Sequence, residues 1–158
     1  MLAYEIMIAR RIFLTTLLIP GSRCTAATIT QCEVSGAASV EDAQTMAKSV
    51  VGSSLVKSAI YGRDPNWGRI AAAVGYADVK SDWSTDDMCI SIGDTALMKA
   101  GQPLEYDAVA ASQYMKDAGE THGTIKIFVQ VGDGPSSALA WGCDLSENYI
   151  KINADYST

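Results

Sequence analysis

Histidine is almost missing from this sequence: His122 is the only one in 158 residues. The four cysteines, Cys24, Cys32, Cys89 and Cys143, stand far apart and form no C-x-x-C. No zinc pattern can be assembled from that set, so no metal site is expected. Basic residues are also few, 12 Lys and Arg against 18 Asp and Glu, a net charge of −6. Such a chain lacks the basic face that neutralises phosphates, which excludes nucleic-acid binding as the expected function. It equally lacks the overall positive charge that draws proteins to anionic lipid. No run approaches the roughly 18–20 apolar residues of a membrane span. The longest, residues 12–19, is short and holds Thr15 and Thr16. Neither G-x-G-x-x-G nor G-x-x-x-x-G-K-[ST] occurs, so no glycine-rich phosphate cradle is present. Without a G-x-S-x-G elbow, a Ser-His-Asp arrangement around His122 has no support, and helix capping or solvent exposure is the expected role of that histidine.

What remains is ordinary globular material: 48% hydrophobic and 19% charged residues. The charge is unevenly spread. Residues 1–33 carry Arg10, Arg11 and Arg23 against Glu5 and Glu33, while the rest carries 9 basic and 16 acidic residues. A weakly basic head thus precedes an acidic body. The head places Arg10-Arg11 before a short apolar run that Pro20-Gly21 breaks, and Ser, Thr and Ala follow. It reads as an organelle presequence, a secretory signal or a gene-model extension.

Beyond it, strands and helices alternate, which predicts an α/β or α+β layered fold. Residues 28–34 alternate as a strand ended by Ser35-Gly36. Ser39 caps a helix, with Asp42 in the capping-box position and Val40, Ala43, Met46, Ala47 and Val50 on its inner face. A second helix from Ser54 to about Ile60 turns Leu55, Val56 and Ala59 inward. Residues 70–75 pack as helix or buried strand, and 77–87 form a polar loop. Residues 88–92 and 95–99 pair as strands, and 101–103 make a turn. Asp107 caps a helix that buries Val109, Ala110, Tyr114 and Ala118. Residues 124–131 are the clearest strand, with Ile125, Ile127, Val129 and Val131 on one face. Gly132-Asp133-Gly134 is a structural turn. Residues 137–141 are a further strand, and 146–152 a short closing element.

The densest motif is KSAIYGRDPNWGRI, residues 57–70. Arg63 and Arg69 could clamp a carboxylate, since the guanidinium fork matches that geometry. The structural alternative, favoured on physical grounds, is a rigid corner. There Pro65 fixes φ, Asn66 turns the chain, an arginine pairs with Asp64, and Trp67 fills the core.

This stretch resembles the signature of the glutamate N-acetyltransferase (ornithine acetyltransferase) family of bifunctional arginine-biosynthesis proteins. A second block, AWGCDL at 140–145 followed by YIKINADYST at 149–158, is similar to that family's ending, and Gly93-Asp94 and Gly101-Gln102-Pro103 fall between the blocks in the same order. The resemblance covers residues 34–158 and leaves residues 1–33 as an unmatched head. It implies the C-terminal portion of an α-β-β-α fold and an acyltransferase. In that family an internal threonine, freed by self-cleavage, takes acetyl from N-acetylornithine and passes it to glutamate; many members also use acetyl-CoA. The α half and the first part of the β chain have no counterpart here, so no catalytic residue is carried over. Thr25, Thr28 and Thr30 lie in a context unlike the cleavage site. Two substrate contacts do carry over, Asn153 and Thr158. The resemblance further implies no cofactor, a heterotetramer of two α and two β chains, and ornithine, N-acetylornithine and glutamate as ligands. It points to a chloroplast, with mitochondrion or cytoplasm as alternatives. The competing expectation is a truncated paralogue or binding fragment without catalysis.

Overall fold

The computed structural model describes residues 28–121 and 123–154. Its elements run β1 (Ile29–Ala37), α1 (Val40–Gly52), α2 (Ser54–Tyr61), α3 (Trp67–Gly75), β2 (Cys89–Ile92), β3 (Thr95–Lys99), β4 (Gln102–Pro103), α4 (Ala108–Glu120), β5 (Thr124–Gln130), β6 (Ser136–Cys143) and α5 (Glu147–Ala154). All six strands form one sheet in the order β4-β3-β2-β5-β1-β6. β1 runs parallel to β5 and antiparallel to β6; β2 joins β5 and β3 antiparallel. The fold is the expected α/β layered one, a sheet with helices packed on it.

The period-2 pattern of β5 decides which face is covered. Ile125, Ile127 and Val129 are buried, while Lys126, Phe128 and Gln130 point the other way. Cys32 and Val34 of β1, Ile90 and Ile92 of β2, and Ala138 and Ala140 of β6 extend the same apolar face. Met46, Ala47 and Val50 of α1, Ile70 and Val74 of α3, and Met115 of α4 close over it. Each fully buried aliphatic side chain contributes about 1.5–3 kcal/mol. Burial, with Glu33 adding repulsion, pushes the Cys32 thiol up to about 12, so it sits there as a neutral apolar group.

Several expectations change on inspection. Strand β1 does not stop at Ser35-Gly36 but continues to Ala37 through a register shift, with Gly36 at φ 77°. Residues 70–75 are helical, started by Asn66, whose side chain accepts from the Arg69 N–H at 3.1 Å. Gln102-Pro103 is a short edge strand on β3. Val40 and Leu55 are exposed, and so is Val109, at 80%. The buried stripe of α4 is instead Ala111 and Met115, with Tyr114 and Ala118 packed beside it. In α2 the inner face is Val56, Ala59 and Ile60. The readings placed on the head, on His122 and on Cys24 lie outside the described residues.

Ser39 caps α1 as expected, accepting from the Asp42 N–H at 3.0 Å. The Asp42 carboxylate does more than complete a capping box. It is buried, and it accepts from the Lys80 N–H at 3.0 Å and from the Ser81 hydroxyl at 2.5 Å, pinning the polar loop to the helix. Those two bonds hold its carboxyl below the ordinary 3.8. A depressed folded-state value stabilises the fold above the unfolded value and loses that effect as pH falls through the folded one. Thermal melts of the parent chain and Asp42→Asn should therefore differ by a constant interval at neutral pH. The interval should shrink below about pH 4. An interval unchanged down to pH 2 would remove the carboxylate from this role.

Candidate functional site

The first motif folds as a corner. Helix α2 ends at Gly62, which has helical φ of −75°, and the next residue, Arg63, takes φ 56°. The Arg63 N–H donates to the Ile60 carbonyl at 3.1 Å and the Asp64 N–H to the Ala59 carbonyl at 2.9 Å. This pair of bonds is the Schellman ending, with arginine where glycine is usual. The glycine sits one residue early, and Arg63 holds a conformation that costs a side-chain-bearing residue about 1–2 kcal/mol. The corner is then locked from several sides. Asn66 donates its amide to Asp64 at 2.9 Å, the Tyr106 hydroxyl donates to the Pro65 carbonyl at 3.3 Å, and the Arg69 guanidinium donates to the Leu55 carbonyl at 3.0 Å. Trp67 packs on the core. The expected arginine–Asp64 pair is replaced: among the described residues, Asp64 is held by Asn66, and no ion pair joins it to Arg63 or Arg69.

The second motif leaves the sheet beside this corner. β6 ends at Cys143, and the Asp144 N–H donates to the Thr28 carbonyl at 3.1 Å. The Leu145 N–H then donates to the Lys57 carbonyl of α2 at 3.3 Å, which ties the two motifs together. Ser146 caps α5 by accepting from the Tyr149 N–H at 3.1 Å, and Lys151 pairs with Glu147 one turn earlier at 2.7 Å.

Asp144 is the unusual member of this junction. Only 9% of it is exposed, and its Oδ1 has no hydrogen-bond partner among the described residues. Burial raises its carboxyl above the ordinary range; the Thr28 N–H and hydroxyl, and the Lys57 charge, pull against that rise. Thr30, on the same face of β1, also keeps a buried hydroxyl without a partner among the described residues. Reading the sequence missed the link between Thr28, Lys57 and Asp144. Its only linear signal was a carboxylate lodged between Cys143 and Leu145.

The carried-over residues follow from here. Asn153 lies in the last turn of α5, and Thr158 lies outside the described residues. Among the described residues, no group of three or more His, Cys, Asp or Glu is placed to hold a metal ion, and no helix is long and apolar enough to cross a membrane. Gly132-Asp133-Gly134 is structural: the Gly134 N–H donates to the Gly36 carbonyl at 2.9 Å. This turn borders a cleft of about 210 Å³ that also holds Asp42, Ser81 and Trp83.

Residues 21–158 match the sequence model of the ArgJ family. The arginine biosynthesis bifunctional protein ArgJ, chloroplastic, of Citrullus lanatus is 57% identical over 125 residues, covering 79% of this chain and 27% of that protein. The protein of the same name from Ostreococcus lucimarinus is 54% identical over 129 residues, covering 81% and 28%. The solved arginine biosynthesis bifunctional protein argJ of Bacillus halodurans superimposes with a TM-score of 0.80 at 35% identity, over 97% of this chain and 68% of that one. The chain thus spans only about a quarter of the length of the curated relatives it matches.

Proposed function

Because the chain belongs to the ArgJ family, we propose that it is the C-terminal part of an arginine-biosynthesis acetyltransferase, contributing a substrate-binding tail rather than the nucleophile. The observation that carries this reading is the meeting of the two family motifs at Leu145 and Lys57. There the corner backs the turn from which the tail departs. The relatives' names support a chloroplast location.

In the proposed reaction, a threonine outside this chain attacks the acetyl carbonyl of N-acetylornithine or acetyl-CoA. Its own N-terminal amine accepts the hydroxyl proton. The tetrahedral oxyanion collapses to an acetyl-threonine ester, and the leaving amine or thiol departs with the proton. Glutamate's amine then attacks the ester and regenerates the hydroxyl. Donors aimed at the oxyanion supply much of the acceleration. No cofactor takes part. The Asn153 amide, donor and acceptor at once, and the Thr158 hydroxyl meet the polar groups of the amino-acid substrate.

The sheet face opposite the helices supports assembly with the remaining family chains. Leu139, Glu33, Phe128 and Ser91 form a row across four strands, since each is paired with the next. Leu139 is 41% and Phe128 36% exposed, and Trp141 lies on the same face at 37%. A groove of about 360 Å³ runs beside Phe128. A patch of this kind marks an interaction surface.

The chain alone should form no N-acetylglutamate from N-acetylornithine and glutamate. Co-expressed with a family polypeptide lacking the matched region, it should restore transfer. Asn153→Ala should then lower kcat/KM about tenfold or more, which is about 1.4 kcal/mol of transition-state binding. Turnover by the isolated chain, or full activity of the variant, would overturn the reading.

A further inference from the structure

We infer that Arg63 grips the α-carboxylate of the amino-acid substrates, a specificity-determining contact presented by the corner that ends α2. This rests on the reading of the chain as the substrate-binding part of an acetyltransferase. Among the described residues, two other than glycine take a positive φ, Arg63 at 56° and Ala100 at 47°. Ala100 has a local reason. It shares the two-residue turn between Lys99 and Gln102 with Gly101, at φ 70°, and hairpin turns of that kind require positive φ at both positions. Arg63 has no such reason. Gly62, just before it, has φ −75°, a value open to any side chain, and a Cβ there would meet nothing nearer than the Ser58 carbonyl at 3.4 Å. The chain thus keeps glycine where alanine would fit, and a long side chain where glycine fits best. Stability alone favours the reverse order. An arginine held against its backbone preference is retained for what its side chain does.

That side chain is exposed. Among the described residues its guanidinium makes no hydrogen bond or ion pair, and the adjacent Asp64 is bonded by the Asn66 amide instead. Arg69 is not equivalent, since its guanidinium donates to the Leu55 carbonyl at 3.0 Å. The base from which Arg63 projects is fixed: its own N–H and that of Asp64 are bonded to α2, and the Tyr106 hydroxyl holds the Pro65 carbonyl. A planar guanidinium on a rigid base matches a planar carboxylate through two parallel bonds. Charge points the same way. From residue 34 onward the chain carries 9 basic against 16 acidic residues, so its overall field repels glutamate and the attraction has to be local. N-acetylornithine and glutamate share one anionic group that an arginine can hold in both half-reactions, the α-carboxylate. Position agrees as well. The helix whose end carries Arg63 is bonded, through the Lys57 carbonyl, to Leu145 at the root of the segment bearing Asn153.

Steady-state kinetics of the chain co-expressed with a family polypeptide lacking the matched region test the contact. Arg63→Gly should raise KM for both N-acetylornithine and glutamate about tenfold or more, with kcat within about threefold of the parent. The melting midpoint of that variant should equal or exceed the parent's, since glycine relieves the backbone. Arg63→Lys should regain part of the loss, and methylguanidinium added to the glycine variant should lower both KM values again. Gly62→Ala should leave both as in the parent. Unchanged KM in Arg63→Gly overturns the inference. So does a lowered midpoint with unchanged KM, the result expected if the cation merely steadies the C-terminal end of the α2 dipole. Loss of co-purification overturns it too, because the anion held would then be an acidic side chain of the complementing polypeptide. If the glycine variant does not fold, Arg63→Gln, which keeps the length without the charge, decides by the same KM criterion. A parent assembly without turnover sinks the acetyltransferase reading and the inference together; parent turnover with unchanged KM in the variants removes the inference alone.

Discussion

Gly36→Ala should lower the unfolding free energy by about 3–5 kcal/mol, summing a left-handed residue's penalty of about 1–2 kcal/mol and a steric clash of similar or greater cost. Gly36 sits at φ 77°, inside the register shift of β1, and a Cβ there would collide with the Gly132 carbonyl. That carbonyl cannot move freely. It belongs to a turn sewn to β1 by the Val131 N–H on the Ser35 carbonyl at 3.0 Å and the Gly134 N–H on the Gly36 carbonyl at 2.9 Å. Gly134→Ala should be destabilising for the steric reason alone, since its Cβ would meet the Ala37 carbonyl without a positive φ. Because the two glycines share one contact, the double variant should cost less than the sum. Urea melts with unchanged slope and lowered midpoint are the expected record. A Gly36→Ala midpoint within error of the parent would mean that the β1–turn contact is dispensable.

The second large effect is Ile127→Ala, which should cost about 3–4 kcal/mol by the usual range for deleting a buried isoleucine. Ile127 has no exposed surface, and its strand lies between β2 and β1 in the sheet. Its neighbours Cys32 on β1 and Ile92 on β2 cannot collapse into the gap without moving two ladders. Phe128→Ala, one residue on, is the internal control. That ring projects from the opposite face and is 36% exposed, so its loss should cost well under half as much. Equal costs at 127 and 128 would contradict the one-sided core.

The contrast between these two residues also shows what could be read without coordinates. Alternation in 124–131 is strict, so the strand and its buried face were both legible. Helix faces were legible in kind but not always in phase. Val109 has the right spacing for burial, yet it lies in the first turn of α4 and is exposed, while Ala111 and Met115 carry the contact. Periodicity finds a stripe; only packing says where the stripe begins and ends. The corner was legible as rigid, but not the arginine in the left-handed position, because side-chain-bearing residues seldom adopt that conformation and nothing local marks Arg63 for it. Asn153 and Thr158 were named through family resemblance alone. The Asp144–Thr28 contact was not legible at all. It joins residues far apart in sequence, and no local pattern of charge or spacing encodes such a meeting.

The place of β1 between β5 and β6 has a kinetic consequence. Its partners are Thr124 to Gln130 on one side and Ser136 to Cys143 on the other, all of them near the far end of the described chain. The entropy of closing those loops is lost before either ladder rewards it. Hairpin β2–β3 needs only a short turn and can form within microseconds. During synthesis β1 therefore precedes both of the strands it pairs with in this sheet and waits for them until β5 and β6 have been made. An unpaired strand of that kind is a template for association with other chains. The interval between the emergence of β1 and that of β6 is the period in which this polypeptide is most exposed to aggregation.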